Sequence, residues 1–383
     1  MTTACRSLSP VQCVAFVPGK ASPSGHDALT KASLARSVAR LLGVERGVEV
    51  RCAAPDAAPA APRAYLVPCD TLLRAEATAL GIEAIDDLFG GVVPLPFVAT
   101  KAITHGLIDA DAQAPHGWTT AFAERTAAVV LPGFSAFNGR DARRACACLL
   151  EGGALGGGAV RVKNAAGVGG SGQAVVRDLH EFDALVQTAA FAEPWAEGLV
   201  LERNLQRPRT VSVGQVRVGQ WLLSYHGEQR LTRSRLGEVV YGGSTLHLVR
   251  GDFDTLLATA LPTPLRQAIE HALVYHRAAH DCFDGLLASR CNYDIAQGFD
   301  GRGGWHCGVL EQSWRIGGAS GAELAALHAW RERPTLRWVR ASTHELHSDE
   351  AQAPPGAQVH FDDHDPQLGR LLKYALVQAD GDD

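Results

Sequence analysis

The spacing of hydrophobic and polar residues changes along the chain, and each spacing predicts one kind of element. Up to residue 95, short apolar runs alternate with segments whose apolar residues recur every three or four positions, as in residues 28–42. The short runs predict strands and the longer spacing predicts amphipathic helices. Alternating strands and helices favour a parallel sheet covered by helices. We therefore expect an N-terminal α/β domain over residues 1–95, which ends near Pro94-Leu95-Pro96.

Two further units follow this domain, and they are expected over residues 96–197 and 198–383. The last unit is rich in strands, so the chain as a whole combines α/β and α+β organisation. The predicted strands cover residues 11–17, 48–53, 64–67, 128–132, 159–162, 174–176 and several segments from 198 to 248, with closing strands near 336 and 374. The predicted helices cover residues 28–42, 70–80, 140–150, 180–191, 265–279 and 322–330, and a hairpin is expected over 292–311.

Composition excludes several classes of protein. A chain of 383 residues with 46% hydrophobic content can bury large cores. The 36 basic and 41 acidic residues give a net charge of −5, which argues against a nucleic-acid binder. No apolar run approaches the roughly 18 residues that span a bilayer, so no membrane partner is expected. The apolar run Val14–Val17 ends in Pro18-Gly19, which indicates a strand and not a signal peptide.

The cysteines indicate a reducing compartment. There are nine, they are scattered, and no Cys-x-x-Cys pair occurs. Cys146 and Cys148 lie in a predicted helix, where residues two apart diverge. We therefore expect reduced thiols in a cytoplasmic protein, without zinc sites or disulfides.

The segment Glu311-Gln312-Ser313-Trp314-Arg315 carries candidate chemistry. If it continues the strand that begins at Val309, then Glu311, Ser313 and Arg315 project from one face. A carboxylate can hold Mg²⁺ beside a phosphate, and a guanidinium suits planar oxyanions. The alternative is an ion pair on an edge strand.

A lysine precedes a glycine-rich segment in the middle unit. Lys163 ends a predicted strand, and residues 167–172 read Gly-Val-Gly-Gly-Ser-Gly before another strand. Glycines allow backbone N–H groups to approach phosphate oxygens. A strand after the loop excludes a dinucleotide fingerprint, and no Gly-Lys-Ser/Thr closes a Walker loop. A hairpin over phosphates is the favoured interpretation, with a flexible β-turn as the alternative.

Four further positions complete the candidate set. Residues 198–205 form an apolar strand that runs into a polar hinge, where backbone groups could pair with an adenine edge. The alternative is a plain linker with a solvated Glu202.

Residues 298–304 are a strong turn signal, so a hairpin would face Asp294 toward Glu311. Two adjacent carboxylates favour a cation between them. Lys101 and Arg230, taken alone, could be solvated surface residues.

The order and spacing of these segments resemble the ATP-grasp superfamily over roughly residues 90–320, preceded by an α/β domain like the Rossmann-like domain that precedes the ATP-grasp fold in such enzymes. Residues 160–172 look like the lysine strand and glycine loop of biotin carboxylase-like members. Residues 201–209 look like their adenine hinge, and residues 311–315 look like their Glu-x-Asn-x-Arg strand. The C-terminal half also looks like a bacterial ATP-grasp-related family of unknown function.

The resemblance implies roles at the matching positions. Phosphates would be contacted by Lys101, Lys163, Gly169, Gly170, Ser171 and Gly172, adenine by the backbone of Glu202, Arg203 and Leu205, Mg²⁺ (or Mn²⁺) by Asp294, Glu311 and Ser313, and the acyl substrate by Arg315 and Arg230. Ser313 replaces the metal-binding Asn of the family, and this places the second metal position in question. Met1 is the only methionine, so no biotinylation Met-Lys motif occurs.

The resemblance implies an ATP-dependent ligase that activates a small-molecule carboxylate as an acyl phosphate for attack by an amine-type acceptor. A homodimer is one candidate assembly. The alternatives are a kinase that stops at phosphoryl transfer to a hydroxyl, and a nucleotide-binding regulatory module without turnover, which Ser313 motivates. An oxidoreductase that binds a dinucleotide is disfavoured because the strand–glycine loop–helix order is absent.

Overall fold

The computed structural model describes most of the chain: residues 11–19, 25–44, 48–50, 63–151, 158–167, 172–191, 194–234, 237, 239–366 and 368–382. The strands are numbered in chain order: β1 (Cys13–Val17), β2 (Val48–Val50), β3 (Ala64–Pro68), β4 (Leu72–Leu73), β5 (Gly91–Val93), β6 (Gly133–Ala136), β7 (Val160–Asn164), β8 (Gln173–Val176), β9 (Leu199–Arg203), β10 (Gln206–Val218), β11 (Trp221–Arg233), β12 (Val239–Arg250), β13 (Leu287–Ala288), β14 (Arg290–Phe299), β15 (Trp305–Ser313), β16 (Trp338–Leu346), β17 (Gln358–Asp365) and β18 (Gly369–Gly381).

The α-helices are numbered in the same way: α1 (His26–Leu42), α2 (Arg74–Ala79), α3 (Ala121–Thr126), α4 (Gly139–Glu151), α5 (Leu179–Leu185), α6 (Phe253–Leu257), α7 (Thr263–Cys282) and α8 (Ser320–Glu332). Short 3₁₀ turns cover Ile85–Asp87, Pro96–Ala99, Lys101–Thr104, Ala189–Phe191 and Pro194–Ala196. Within the described ranges, no helix is both long enough and apolar enough to cross a bilayer.

The N-terminal part contains a parallel sheet in the order β2-β1-β3. Helix α1 packs beside it because Leu34, Val38 and Leu41 recur at helical spacing and are buried. The helix ends where Gly43 adopts a φ of +68°, a left-handed conformation that glycine enters without steric cost. Parallel strands with a covering helix agree with the α/β prediction for this part of the chain.

The middle part of the chain contains a four-stranded sheet in the order β6-β9-β7-β8. Helices α4 and α5 bury Ala145, Leu149 and Phe182 in a core with the sheet residues Val162 and Leu201. Strands β7 and β8 pair antiparallel from Val160↔Val176 to Lys163↔Gln173, so the hairpin that encloses the glycine-rich segment is confirmed. Residues 168–171 of that segment lie outside the described residues.

The largest sheet has eight strands in the order β15-β14-β10-β11-β12-β16-β18-β17. Helix α8 and part of α1 pack on one face, where Tyr225 and Leu246 are buried. Helices α6 and α7 pack on the other face, where Tyr293 and Ile295 are buried. Because side chains alternate along a strand, Asn292 and Asp294 of β14 lie on the face that α8 covers.

Three predicted elements are wrong in position or length, and one is the helix predicted at 180–191, which ends at Leu185 as α5. The strand predicted at 128–132 is an isolated bridge, in which the Val309 N–H donates to the Val129 carbonyl at 2.8 Å, and the strand proper is β6. Gly308 permits this close approach, since a Cβ there would lie 2.5 Å from the Leu131 nitrogen. The helix predicted at 70–80 is confined to α2, because Leu72 and Leu73 pair with β5.

Candidate functional site

Lys101 contacts both the start of the glycine-rich segment and strand β15. It begins a 3₁₀ turn and its side chain is almost fully buried. Its ammonium lies 2.8 Å from Glu311 Oε2 and donates to the Gly167 carbonyl at 2.5 Å. Gly167 opens the glycine-rich segment and Glu311 belongs to β15. The structure therefore brings together segments that the sequence separates by more than a hundred residues, and the solvated-lysine alternative for Lys101 is wrong.

Lys163 is held by a buried carboxylate on the neighbouring strand. Its ammonium lies 2.5 Å from Glu202 Oε1, and the other carboxylate oxygen lies 3.3 Å from His105 Nε2. Burial by itself would raise the pKa of Glu202, but Lys163 and His105 outweigh it and lower that pKa to about 2. Glu202 is 1% exposed, so the alternative of a solvated linker carboxylate is wrong.

Asp294 and Glu311 face each other across the β14–β15 hairpin, as the turn signal predicts. Asp294 accepts hydrogen bonds from Ser212 Oγ at 2.9 Å and from Gln229 Nε2 at 2.9 Å. The Asn292 amide lies 3.0 Å from the same carboxylate. Burial and, after it, the charge of Glu311 raise the pKa of Asp294 despite the hydrogen bonds from Ser212 and Gln229.

The donor set at this hairpin fits a hard divalent cation. Mg²⁺ in nucleotide sites is usually held by one or two carboxylates, with phosphate and water oxygens completing the shell. Asp294 and Glu311 supply those carboxylates, and a cation would relieve the repulsion that raises the Asp294 pKa. No group of three or more His, Cys, Asp or Glu side chains gathers within the described part, so at this hairpin the two carboxylates would depend on phosphate and water oxygens to complete the shell.

Ser313 ends β15 and lies directly opposite Asn292. Its hydroxyl lies 3.4 Å from a guanidinium nitrogen of Arg290. The sequence analysis missed Asn292, although its place two residues before Asp294 puts both on one face of the strand. The cross-strand register is the additional information that brings Asn292 to Ser313.

A buried ion pair supports the same hairpin from α8, and the sequence analysis missed it as well. Arg290 donates to both oxygens of Glu323, at 3.1 Å from Nε and 2.8 Å from Nη2. Burial opposes the charge on Arg290, but Glu323 outweighs it and raises the pKa of that guanidinium. A third nitrogen of Arg290 donates to the Arg315 carbonyl at 2.7 Å, so the ion pair fixes the chain where β15 ends.

Arg315 lies beyond β15, which ends at Ser313. Trp314 is buried in the core beside α7, on the face opposite Ser313, and the shared face of Ser313 and Arg315 stays a prediction. The guanidinium donates to the Ile316 carbonyl at 3.2 Å. Burial raises the pKa of Asp27, but the charges of Lys31, Lys373 and Arg315 lower it overall, so Arg315 lies near the start of α1.

Arg230 lies on β11 next to Gln229 but makes different contacts. Its guanidinium donates to the Thr343 carbonyl at 2.7 Å and lies 3.2 Å from His344 Nδ1. These contacts tie Arg230 to β16, whereas Gln229 reaches Asp294. No described contact brings Arg230 to the Asp294–Glu311 pair, so its substrate role stays a prediction.

The residues of the predicted adenine hinge contact other segments of the chain. Arg203 lies 2.7 Å from His306 Nε2, which in turn lies 2.8 Å from Asp300. Leu205 is buried with Leu131 and Ala296. The adenine role of Glu202, Arg203 and Leu205 stays a prediction.

Gly172 adopts a φ of +66°, and its carbonyl accepts the Asn164 N–H at 2.9 Å, which closes the β7–β8 hairpin. The predicted phosphate contacts of Gly169, Gly170 and Ser171 fall outside the described residues.

Comparison with known families gives a match over nearly the whole chain. Residues 14–375 match the family model described as "Protein of unknown function (DUF3182)". The chain belongs to the DUF3182 family. Comparison of this family member with curated protein sequences gives no significant match.

Solved structures show the fold of this DUF3182 member. An ADP complex of N5-carboxyaminoimidazole ribonucleotide synthetase is similar with a TM-score of 0.51 and 14% identity, over 98% of this chain and 94% of that one. Pyruvate carboxylase from Rhizobium etli is similar with a TM-score of 0.54 and 12% identity, over 96% of this chain and 36% of that one. The predicted ATP-grasp fold is confirmed.

Proposed function

We propose that this protein is an ATP- and Mg²⁺-dependent ligase that activates a small-molecule carboxylate as an acyl phosphate for attack by an amine or another nucleophile. The observation that carries the proposal is the position of Lys101, which joins the start of the glycine-rich segment to Glu311. An ammonium placed there would contact a phosphate that lies between the glycine-rich segment and the carboxylate hairpin. The ATP-grasp fold supports the same placement.

Two lysines would bind the phosphates. Lys101 and Lys163 are paired with Glu311 and Glu202, so each ammonium is already fixed in position. Phosphate binding would replace or extend these pairs with charge-assisted hydrogen bonds, which are stronger than neutral ones. The amides of the glycine-rich segment, including Gly172, would cover the same phosphates.

Asp294 and Glu311 would hold the cation, with Mn²⁺ as an alternative to Mg²⁺. When bound, the cation supplies charge neutralisation for the phosphates. Phosphoryl transfer needs little more from a protein than this neutralisation and in-line positioning. Glu311 would thus exchange its contact with Lys101 for the cation, while Asp294 keeps its donors Ser212 and Gln229.

Arg315 would orient the carboxylate substrate. Within the described residues its guanidinium forms one hydrogen bond, to the adjacent Ile316 carbonyl, so most of its donors remain for a planar oxyanion. A carboxylate oxygen attacks the γ-phosphorus, the bond to the β-phosphate oxygen breaks, and ADP leaves. The amine then attacks the acyl carbon, phosphate leaves, and the nitrogen loses a proton. Neither step requires a nucleophilic side chain.

A release assay tests the proposal. Carboxylates crossed with amines are incubated with ATP and Mg²⁺, and ADP is measured, with Glu311→Gln as the inactive control. A ligase releases ADP only when a carboxylate and an acceptor are both present. ADP release with a single alcohol would instead show a kinase. Nucleotide-dependent thermal stabilisation without turnover across the panel would show a regulatory module, for which Ser313 is the motivating residue.

A further inference from the structure

Asn292 lies next to Asp294 on one face of β14, where its amide could contact the cation. It lies on β14, two residues before Asp294, and pairs directly with Ser313. All of these side chains, with Glu311, lie on the α8 face of the sheet. Asn292 is 8% exposed, so both ends of its amide need partners within the protein.

The hydroxyl of Tyr225 decides which end of the amide faces which partner. Its oxygen lies 2.7 Å from Glu323 Oε1 and 2.9 Å from the Asn292 amide oxygen. A phenol has a single proton to donate. Both oxygens of Glu323 accept hydrogen bonds from Arg290, so Glu323 is also the acceptor in its contact with Tyr225 and the Tyr225 proton lies on that side. The Tyr225 oxygen is then free to accept from Asn292, and only the amide nitrogen can donate.

A half turn of the amide satisfies Tyr225 and brings a carbonyl oxygen to Asp294. The amide nitrogen lies 3.0 Å from Asp294 Oδ1, and after the half turn the oxygen occupies that place. Two oxygens at this separation repel each other unless a proton or a cation lies beside them. Neighbouring oxygens around octahedral Mg²⁺, at ~2.0–2.1 Å from the ion, are ~2.9 Å apart. The spacing between Asn292 and Asp294 therefore suits two ligands of one ion.

We propose that Asn292 is a metal-binding residue, whose carbonyl oxygen supplies from β14 the amide ligand that position 313 of β15 lacks. The inference rests on the Mg²⁺ site of the proposed function. Ser313 is the weaker candidate because its hydroxyl is short and Arg290 approaches it. Direct pairing of the two residues places an amide at 292 or at 313 on the same face, so either strand can present it to the cation.

Mn²⁺ titration by electron paramagnetic resonance, with a non-hydrolysable ATP analogue present, tests the assignment without turnover. Asn292→Ser should weaken Mn²⁺ binding by about tenfold or more. The exchanged variant Asn292→Ser/Ser313→Asn should recover most of that loss. Gln215→Ser removes an amide from β10 that bonds Ser224, away from the carboxylate pair, and should leave Mn²⁺ affinity unchanged.

The variant Asn292→Asp distinguishes a role of Asn292 as a metal ligand from a role as a hydrogen-bond donor. The new carboxylate keeps an oxygen for the cation but cannot donate to Asp294 or Tyr225. Retained Mn²⁺ affinity in this variant supports the ligand role, and a loss equal to that of Asn292→Ser overturns it.

Failure of the inference differs from failure of the proposed function. If Asn292→Ser binds Mn²⁺ like the native protein while Glu311→Gln does not, Asn292 is not a ligand and the metal site stands. If the native protein binds no Mn²⁺ with the nucleotide, both proposals are overturned.

Discussion

The ammonium of Lys101 lies 2.8 Å from the carboxylate of Glu311, although 210 positions separate the two residues in the chain. The same ammonium bonds the Gly167 carbonyl, so one buried cation connects the glycine-rich hairpin with the carboxylate hairpin. An isolated bridge also pairs Val130, three residues before β6, with Val309 of β15. A nucleotide between the hairpins would meet a cation that is already in place.

Lys101→Met should weaken ATP binding by about tenfold or more, because a hydrogen bond to a charged group contributes ~1.5–3 kcal/mol. Isothermal titration with ATP and Mg²⁺ measures the change. Arg177→Met is the matched control, since it removes a cation that is 72% exposed on its side chain and pairs with Glu181. Equal affinities of the two variants would contradict the phosphate role of Lys101.

Lys163→Met should destabilise the fold as well as weaken nucleotide binding. It leaves the Glu202 charge buried without its cation, and breaking a buried pair from one side costs about 3–5 kcal/mol. Urea unfolding gives the free energy of unfolding.

Adding Glu202→Gln to Lys163→Met should recover part of that loss, because the second change removes the orphaned charge. Removal of the exposed Arg143–Asp183 pair by Arg143→Met is the control and should change stability little. A double variant no more stable than Lys163→Met would show that the pair is not coupled.

Acidification should remove the contribution of the Glu202 carboxylate to the stability of the fold over a defined pH range. The pKa of this carboxyl is lowered from 4.5 to about 2 in the folded protein, where Lys163 and His105 outweigh the effect of burial. A lowered folded pKa stabilises the fold above the unfolded value, and this stabilisation is lost as the pH falls toward the folded value. The stability difference between the native protein and Glu202→Gln should therefore shrink between about pH 5 and pH 2. A difference that stays constant across this range in urea titrations would argue against the ion pair.

Glu311→Gln should abolish ADP release and Mn²⁺ binding while the fold is retained, because Glu311 is a third exposed at the rim of the site. We expect a loss of activity of about 100-fold or more. Circular dichroism checks the fold. The same change should lower the pKa of Asp294, since the charge of Glu311 is one of the causes that raise it. An active Glu311→Gln variant would show that Glu311 does not belong to the metal site.

Local patterns predicted the elements that need no distant partner. The β14–β15 hairpin follows from two apolar alternating segments around a glycine-rich turn, and its register places Asp294 opposite Glu311. The β7–β8 hairpin follows in the same way from residues 160–176. Helices α1 and α7 follow from apolar residues at helical spacing. The order of the motifs along the chain also predicted the fold, because four signals that are weak alone are specific when they occur in this order.

The sequence by itself therefore determined the hairpins and helices just named, since hydrophobic periodicity and turn residues act over a few positions. Only the tertiary structure decided which charges meet. Lys101 looked like a surface lysine until its partner Glu311 was known, and the Glu202 side chain proved to fix Lys163. Asn292 gains its importance from cross-strand register with Ser313. These pairings depend on burial and distance between remote segments, which no local pattern encodes.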